Sequence, residues 1–236
     1  MKTCVVLALF LMAGVSLGDI QKRVNNGRPC TADETKSFVF ITECAGTVIG
    51  NGNWVITAKH CEDDGGLDRL IRWFSPTKIK DVTLTQTITL EKTFKHATAD
   101  IMLIKGKTGM PGMPLVSEAV CSQVLNQISP TNTVPMVVPA RHTKEEDKTW
   151  KDVSMCADIN VNGRGTIRKT NVLLWSPGAC DTCKGDSGAG YIYNNALFAV
   201  HSGKIPVGQG KVENVGPIVC NGHIRNWIVN TMNNNP

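Results

Sequence analysis

Apolar residues along this chain fall mostly in short runs, several of them alternating with polar ones, and seldom at helical spacing. Ser37–Glu43 (SFVFITE) alternates in part and is rich in Phe, Val and Ile, which predicts a strand. A second strand is predicted after Cys44, over AGTVIG. Asn51-Gly52-Asn53 is a hairpin-turn signal, and Trp54–Thr57 returns from it. Val82–Leu90 (VTLTQTITL) alternates apolar residues with Thr and Gln, the pattern of a half-buried strand, while the wholly apolar Ile101–Ile104 fits a buried one. The later half repeats the style in Val172–Leu174, Tyr191–Tyr193, an Asn194-Asn195 turn and Leu197–Val200. Only the end reads as a helix: in His223–Met232, Ile224, Trp227, Ile228 and Thr231 share one face. Many short strands punctuated by Gly, Pro and Asn predict an all-β sandwich or barrel, with Asn233–Pro236 as a frayed tail.

The first 18 residues stand apart from this pattern. Lys2 gives a positive start, Val5–Val15 is an apolar run too short to span a bilayer, and Ser16-Leu17-Gly18 ends it with a cleavage-type sequence. Residues 1–18 read as a signal peptide, and no later segment is long and apolar enough to cross a membrane, so a secreted, extracellular protein is expected. Lys and Arg number 25 against 20 Asp and Glu, and they are scattered, which argues for solubility and against a nucleic-acid partner. Of nine cysteines, Cys4 leaves with the leader, and an even set of eight in an exported chain predicts disulfides. The rival reading is zinc at Cys180-Asp181-Thr182-Cys183, which lacks a second close pair of ligands.

CKGDSGAG, over Cys183–Gly190, carries the first candidate chemistry, a serine on a tight Asp-Ser-Gly turn. A serine hydroxyl is a poor nucleophile at neutral pH and needs a base, whose tautomer a third group must fix. Of five histidines, His60 stands out, because TAKHC (57–61) follows a buried strand and is anchored by Cys61. His96, His142, His201 and His223 read as ordinary surface or core residues. The acid candidate is Asp100, directly before the apolar run Ile101–Ile104. It should be partly buried there and therefore in want of a partner such as a histidine N–H.

TAKHC, ADIMLIK and DTCKGDSG occur in the order His, Asp, Ser, with 40 residues from His60 to Asp100 and 87 from Asp100 to Ser187. In these segments the chain resembles the trypsin/chymotrypsin-like serine proteases over nearly all of its mature length, more weakly between Gly106 and Cys180. The resemblance implies two six-stranded antiparallel β-barrels with a short C-terminal helix, occupying residues 24–236. It implies Ser187 as nucleophile, His60 as general base and then acid, and Asp100 as the group that orients His60. It also implies an oxyanion hole from the backbone N–H groups of Gly185 and Ser187. Asp19–Arg23 would be a propeptide; cutting after Arg23 would free Val24 to fold inward and pair with Asp186. Asp181, six residues before Ser187, would lie at the base of the primary pocket and favour Arg or Lys.

Several positions depart from the family pattern. Ser202-Gly203-Lys204 stands where the family has a Ser-Trp-Gly cleft wall: Ser202 can still support Asp100, the apolar platform is gone, and Lys204 either crowds the pocket mouth, pairs with Asp181 or points to solvent. Ala189 replaces a glycine, Lys59 a small residue, Gly163-Arg164-Gly165 lacks a central Trp, and the stretch from Gly165 to Cys180 is short. Among disulfides the resemblance implies Cys44–Cys61; Cys183 would pair across the pocket, with Cys220 the nearest candidate although far along the chain. The expected activity is a zymogen-activated, monomeric endopeptidase with no cofactor and no metal. Its partners would be protein or peptide substrates, an activating protease and protein inhibitors. The alternative is a catalytically weak or inactive homologue that acts as a binding protein on the same scaffold.

Overall fold

The computed structural model of the chain describes residues 24–25, 27–41, 44–62, 71–73, 86–88, 91–106, 110–146, 149–177, 181–182 and 185–236. The first half holds strands β1 (Val24–Asn25), β2 (Arg28–Pro29), β3 (Phe38–Ile41), β4 (Cys44–Ile49), β5 (Trp54–Thr57), β6 (Ile71–Trp73), β7 (Gln86–Ile88), β8 (Lys92–Lys95) and β9 (Met102–Lys105). The second half holds β10 (Val134–Glu146), β11 (Thr149–Val161), β12 (Gly163–Ile167), β13 (Thr170–Trp175), β14 (Asp181–Thr182), β15 (Gly190–Tyr193), β16 (Ala196–Val200), β17 (Gly203–Gly208) and β18 (Lys211–Pro217). Helices α1 (Ala32–Thr35), α2 (Glu118–Gln127) and α3 (Gly222–Asn233) complete the fold.

The strand ladders among the described residues are antiparallel, and most lie within one half of the chain, while β1 pairs with β14 and β2 with β11 across the halves. Strands β3 to β9 of the first half form one seven-stranded sheet in the order β7-β6-β3-β4-β5-β9-β8. Its two edge strands are close in sequence, since β7 ends at Ile88 and β8 begins at Lys92. Four residue steps span at most about 14 Å, whereas the edges of a flat seven-stranded sheet lie about 29 Å apart. Covalent continuity therefore rolls the sheet up.

The second half differs from a single six-stranded ladder. With β2 added at one edge it forms a five-stranded sheet, β16-β15-β10-β11-β2, beside a four-stranded sheet, β12-β13-β18-β17. The two meet where β11 runs on into β12 and where Ala199 bridges Ile218. The pairings thus pass round six strands, joined at one point by an isolated bridge instead of a full ladder. Of the predicted strand Val82–Leu90, only Gln86–Ile88 falls within the described residues.

Two helices beyond the expected C-terminal one are present. Helix α1 carries a reciprocal cap, with Thr31 Oγ1 accepting from Glu34 N and Glu34 Oε2 accepting from Thr31 N. Helix α2 starts at Ser117, whose hydroxyl accepts from Val120 N, and buries Cys121, Val124 and Leu125 at helical spacing. In α3, Ile224 and Ile228 are buried and Trp227 packs beside them, as the sequence pattern predicts.

That helix seals the two halves together. Ile224 and Ile228 share a core cluster with Trp54, Ile56 and Leu103 of the first half and Ile192 and Leu197 of the second. Among the described residues three disulfides tie distant segments, Cys30–Cys156, Cys44–Cys61 and Cys121–Cys220. The Cys44–Cys61 expectation holds, and Cys220 is corrected from a candidate partner of Cys183 to the partner of Cys121. The reason is local: α2 lays Cys121 against the segment entering α3, with the two Cα atoms 5.9 Å apart. Cys180 and Cys183 lie outside the described residues.

Candidate active site

Strand β5 ends at Thr57 and a 3-10 turn over Lys59–Glu62 carries His60 away from it, with Cys61 locked to Cys44. The bend before β9 delivers Asp100 to the same place. Asp100 accepts twice from His60, at Oδ1 from the backbone N–H (3.0 Å) and at Oδ2 from the Nδ1 side of the ring (2.7 Å). Ser202 Oγ donates to Oδ2 at 2.5 Å. Burial alone would push the Asp100 carboxyl up, but the hydrogen bonds from His60 and Ser202 outweigh it and hold the group at about 2. At neutral pH Asp100 is therefore ionised. His60 Nδ1 is then the donor of that pair, and in a neutral ring the lone pair falls on Nε2.

The bend that presents Asp100 has its own organiser. His96 is buried, and its Nδ1 accepts from the backbone N–H of Thr98 (3.2 Å) and of Ala99 (2.9 Å). Burial lowers its pKa, and the charges of His223 and Lys59 lower it further, which keeps that nitrogen available as an acceptor. An ordinary-looking histidine in the sequence thus shapes the backbone that holds the candidate acid. The signal was local: a His two and three residues before the amides it receives.

The serine turn is seated on the other half of this arrangement. Ser187 O accepts from Ala45 N at 2.7 Å and lies 3.8 Å from Cys61 Sγ, next door to His60. Gly188 has φ +90°, and a Cβ there would meet Ala45 O at 2.0 Å and Thr57 Oγ1 at 2.2 Å. Only glycine both adopts this angle and lets the turn lie so close to β4 and β5. On the other side, Gly188 N donates to His201 O (2.8 Å) and His201 N donates to Ala189 O (2.7 Å).

Behind the turn is a buried polar chain. Trp175 Nε1 donates to the Tyr191 hydroxyl at 3.0 Å, and that hydroxyl pairs with His201 Nδ1 at 2.8 Å. Burial pushes the Tyr191 hydroxyl pKa up, against the opposing effect of the Trp175 hydrogen bond, so it stays neutral. Sequence reading took His201 as an ordinary residue; its partners are ten or more residues away and only the fold brings them together.

Of the remaining predicted residues, Gly185 is buried at φ +100° and Asp186 is fully buried. The backbone of Val24 pairs with that of Thr182, four residues before Asp186, and Asn25 pairs with Asp181. Thr182 Oγ1 donates to the buried Asn214 Oδ1 at 2.5 Å, a pair the sequence did not announce. A cleft of about 460 Å³ runs from His60 and Asp100 past Ser202, Gly203 and the exposed Lys204 to Arg168. Arg23 and the side chain of Asp181 lie outside the described residues. Two groups of side chains approach metal-ligand geometry among the described residues, Cys44-His60-Cys61 and Cys30-Glu34-Cys156. Both use disulfide-bonded cysteines, which offer no thiolate to an ion.

A two-halved antiparallel β fold that gathers a histidine, a carboxylate and a serine turn from distant segments is the architecture of the trypsin-like serine proteases. The family profile described as Trypsin matches residues 24–228, and the chain belongs to that family. It is 28% identical to the venom plasminogen activator Haly-PA of Gloydius brevicauda, covering 79% of each chain. It is 27% identical to snake venom serine protease 5 of Trimeresurus stejnegeri, covering 90% of this chain and 88% of that one. Among solved structures it is similar to neuropsin, a serine protease of mouse brain, with a TM-score of 0.62 at 20% identity over 87% of this chain and 98% of that one, a likeness of fold.

Proposed function

We propose that the protein is a secreted serine endopeptidase, made as a zymogen, that cleaves after Arg or Lys through an acyl-enzyme. The observation that carries this reading is the Asp100–His60 pair, with the Ser187 turn seated on the neighbouring Cys61. In this reading His60 Nε2 takes the proton of the Ser187 hydroxyl as Oγ attacks the scissile carbonyl carbon. The backbone N–H groups of Gly185 and Ser187 receive the oxyanion. His60 then gives the proton to the departing amine, the acyl group stays on Ser187, and water repeats the cycle to release the acid. Asp100, ionised and held by Ser202, stabilises the imidazolium formed midway.

Two further observations support the finer points. Asp186 is fully buried, which a carboxylate tolerates best beside a cation, and Val24 pairs with Thr182, four residues before it in sequence; both support the activation reading. Three disulfides, and relatives whose names place them in venom, support export.

The test is to cut the purified mature protein after Arg23 with trypsin. The cut protein should hydrolyse Arg or Lys amides and be labelled at Ser187 by an organophosphonate. No labelling after verified cleavage would sink the reading. It would favour the binding-protein alternative, which the Gly203-Lys204 cleft wall already motivates.

A further inference from the structure

We infer that the cleft beside His60 selects chains that carry acidic side chains near the bond to be cut, through Arg168 and Lys59. This rests on the endopeptidase reading for the identity of the ligand as a peptide chain. Three cations line the cleft, Lys59, Arg168 and Lys204, against one carboxylate, Asp100. That carboxylate is engaged by two His60 donors and by Ser202, so it has little left to offer a substrate. Neither Lys59 nor Arg168 forms an ion pair among the described residues; Lys59 Nζ donates to the His96 carbonyl at 3.2 Å, a neutral acceptor. Between the charges the lining is partly aliphatic, with Ile167, Val172 and Val215, and apolar walls strengthen the pull of a charge across a groove.

The way Arg168 reaches the cleft points to the same conclusion. Arg168 and Lys169 are the two central residues of the turn between β12 and β13, where Ile167 pairs with Thr170. Both take left-handed backbone angles, φ 48° and 65°. Asn-Gly fills such a turn without strain. The chain instead keeps two long cationic residues there, and one of them lines the wall that leads away from His60. Strain of this kind, held at the rim of a site, is a mark of a recognition element. An Asp or Glu on the substrate supplies a counter-charge for Arg168.

The experiment compares fluorescent peptides that share one Arg and differ only in flanking Asp and Glu against Asn and Gln. Binding is measured to the protein cut after Arg23 and carrying Ser187→Ala, so that the result does not depend on catalysis. The acidic peptide should bind about tenfold more tightly at about 0.1 M salt, and the difference should shrink at about 1 M, where screening shortens to about 3 Å. Arg168→Gln should cut the preference about threefold and Lys59→Gln by a smaller factor, with unfolding temperatures verifying that both variants fold. Equal binding of the two peptides, binding of neither, or a preference that both variants leave intact would overturn the inference. Failure of the endopeptidase reading has a different signature: the cut protein with Ser187 intact would neither turn over peptides nor accept the phosphonate, while the binding preference stayed readable.

Discussion

At the His60 end of the cleft, Asp100 receives three hydrogen bonds, from one backbone N–H, one ring and one hydroxyl, and a buried histidine shapes the bend that presents it. At the Arg168 end, the wall is an exposed hairpin tip with two non-glycine residues in left-handed conformations. The first end is over-determined: several contacts fix each group, so that geometry survives small disturbances. The second is an exposed tip closed by the Ile167–Thr170 pair, where a change of charge falls at the surface. Three of the residues that depart from the family pattern, Lys59, Gly203 and Lys204, line this cleft. In the proposed reading, reaction chemistry and substrate choice would fall to two ends of the site with different tolerance to substitution.

The largest effects should come from the over-determined end. Ser187→Ala should lower kcat by about 10⁶-fold, and Asp100→Asn by about 10⁴-fold, because an amide in place of the carboxylate stabilises the wrong imidazole tautomer. Both follow from cleavage kinetics on an Arg amide after activation; retention of even a tenth of the activity by either variant would separate the Asp100–His60 pair from catalysis. Next comes the seat of the serine turn. Gly188→Ala drives a methyl group into Ala45 O and Thr57 Oγ1 at a φ that alanine avoids. It should destabilise the fold by about 3 kcal/mol and abolish phosphonate labelling. Urea unfolding beside labelling checks both, and a variant of native stability would show the turn to be less tightly seated.

Ser202→Ala tests the outer support of Asp100. Loss of a hydrogen bond to a charged group should lower kcat/KM by about tenfold. The pH dependence has a definite sign. Asp100 is depressed to about 2 from its ordinary 3.8, so its stabilising contribution is fully present above about 4 and is lost as pH falls through about 2. Without Ser202 the folded value rises, and the stability lost over that acid range should shrink by about 1 kcal/mol or less, since the carboxylate is partly exposed. Unfolding measured across that range gives the answer, and an unchanged acid profile would mean that His60 alone holds the carboxylate.

Local pattern made much of this legible. Runs such as Phe38–Ile41, Trp54–Thr57 and Met102–Lys105 are short, apolar and bounded by turns, and each is a strand. Segments His60, Asp100 and Ser187 were readable because each sits in a compact motif at a strand end. What stayed hidden depends on long-range pairing or on mixed patterns. The hairpin of β10 and β11 contains Pro135 and Pro139 and turns polar over Thr143–Glu146, so neither alternation nor propensity marks it. Helix α2 has its Ser117 cap and its Cys121, Val124 and Leu125 stripe, yet the exposed Ala119 and Val120 add apolar residues off that face and blur the period. The Ser202 support reaches across 102 residues of sequence and the Cys121–Cys220 bond across 99, distances at which only the finished fold supplies the partner.

The smallest expected effect bears on the strained wall. Replacing Arg168-Lys169 with Asn-Gly relieves two non-glycine residues of left-handed angles, which gives back about 1 to 2 kcal/mol each. Part of this is offset, because glycine gives the unfolded chain more freedom. The net gain should be about 1 kcal/mol, seen as a rise of roughly 2 to 4 °C in Tm for a chain of this size. Binding of acidic peptides should fall in the same variant, since the cation at the rim is gone. The two readings together are more telling than either alone. Greater stability with weaker acidic preference means that the turn is kept for recognition at the expense of the fold. Unchanged stability means that the angles at 168 and 169 are relaxed by their surroundings, and the contrast between a rigid chemical end and a strained recognition end then loses its physical basis.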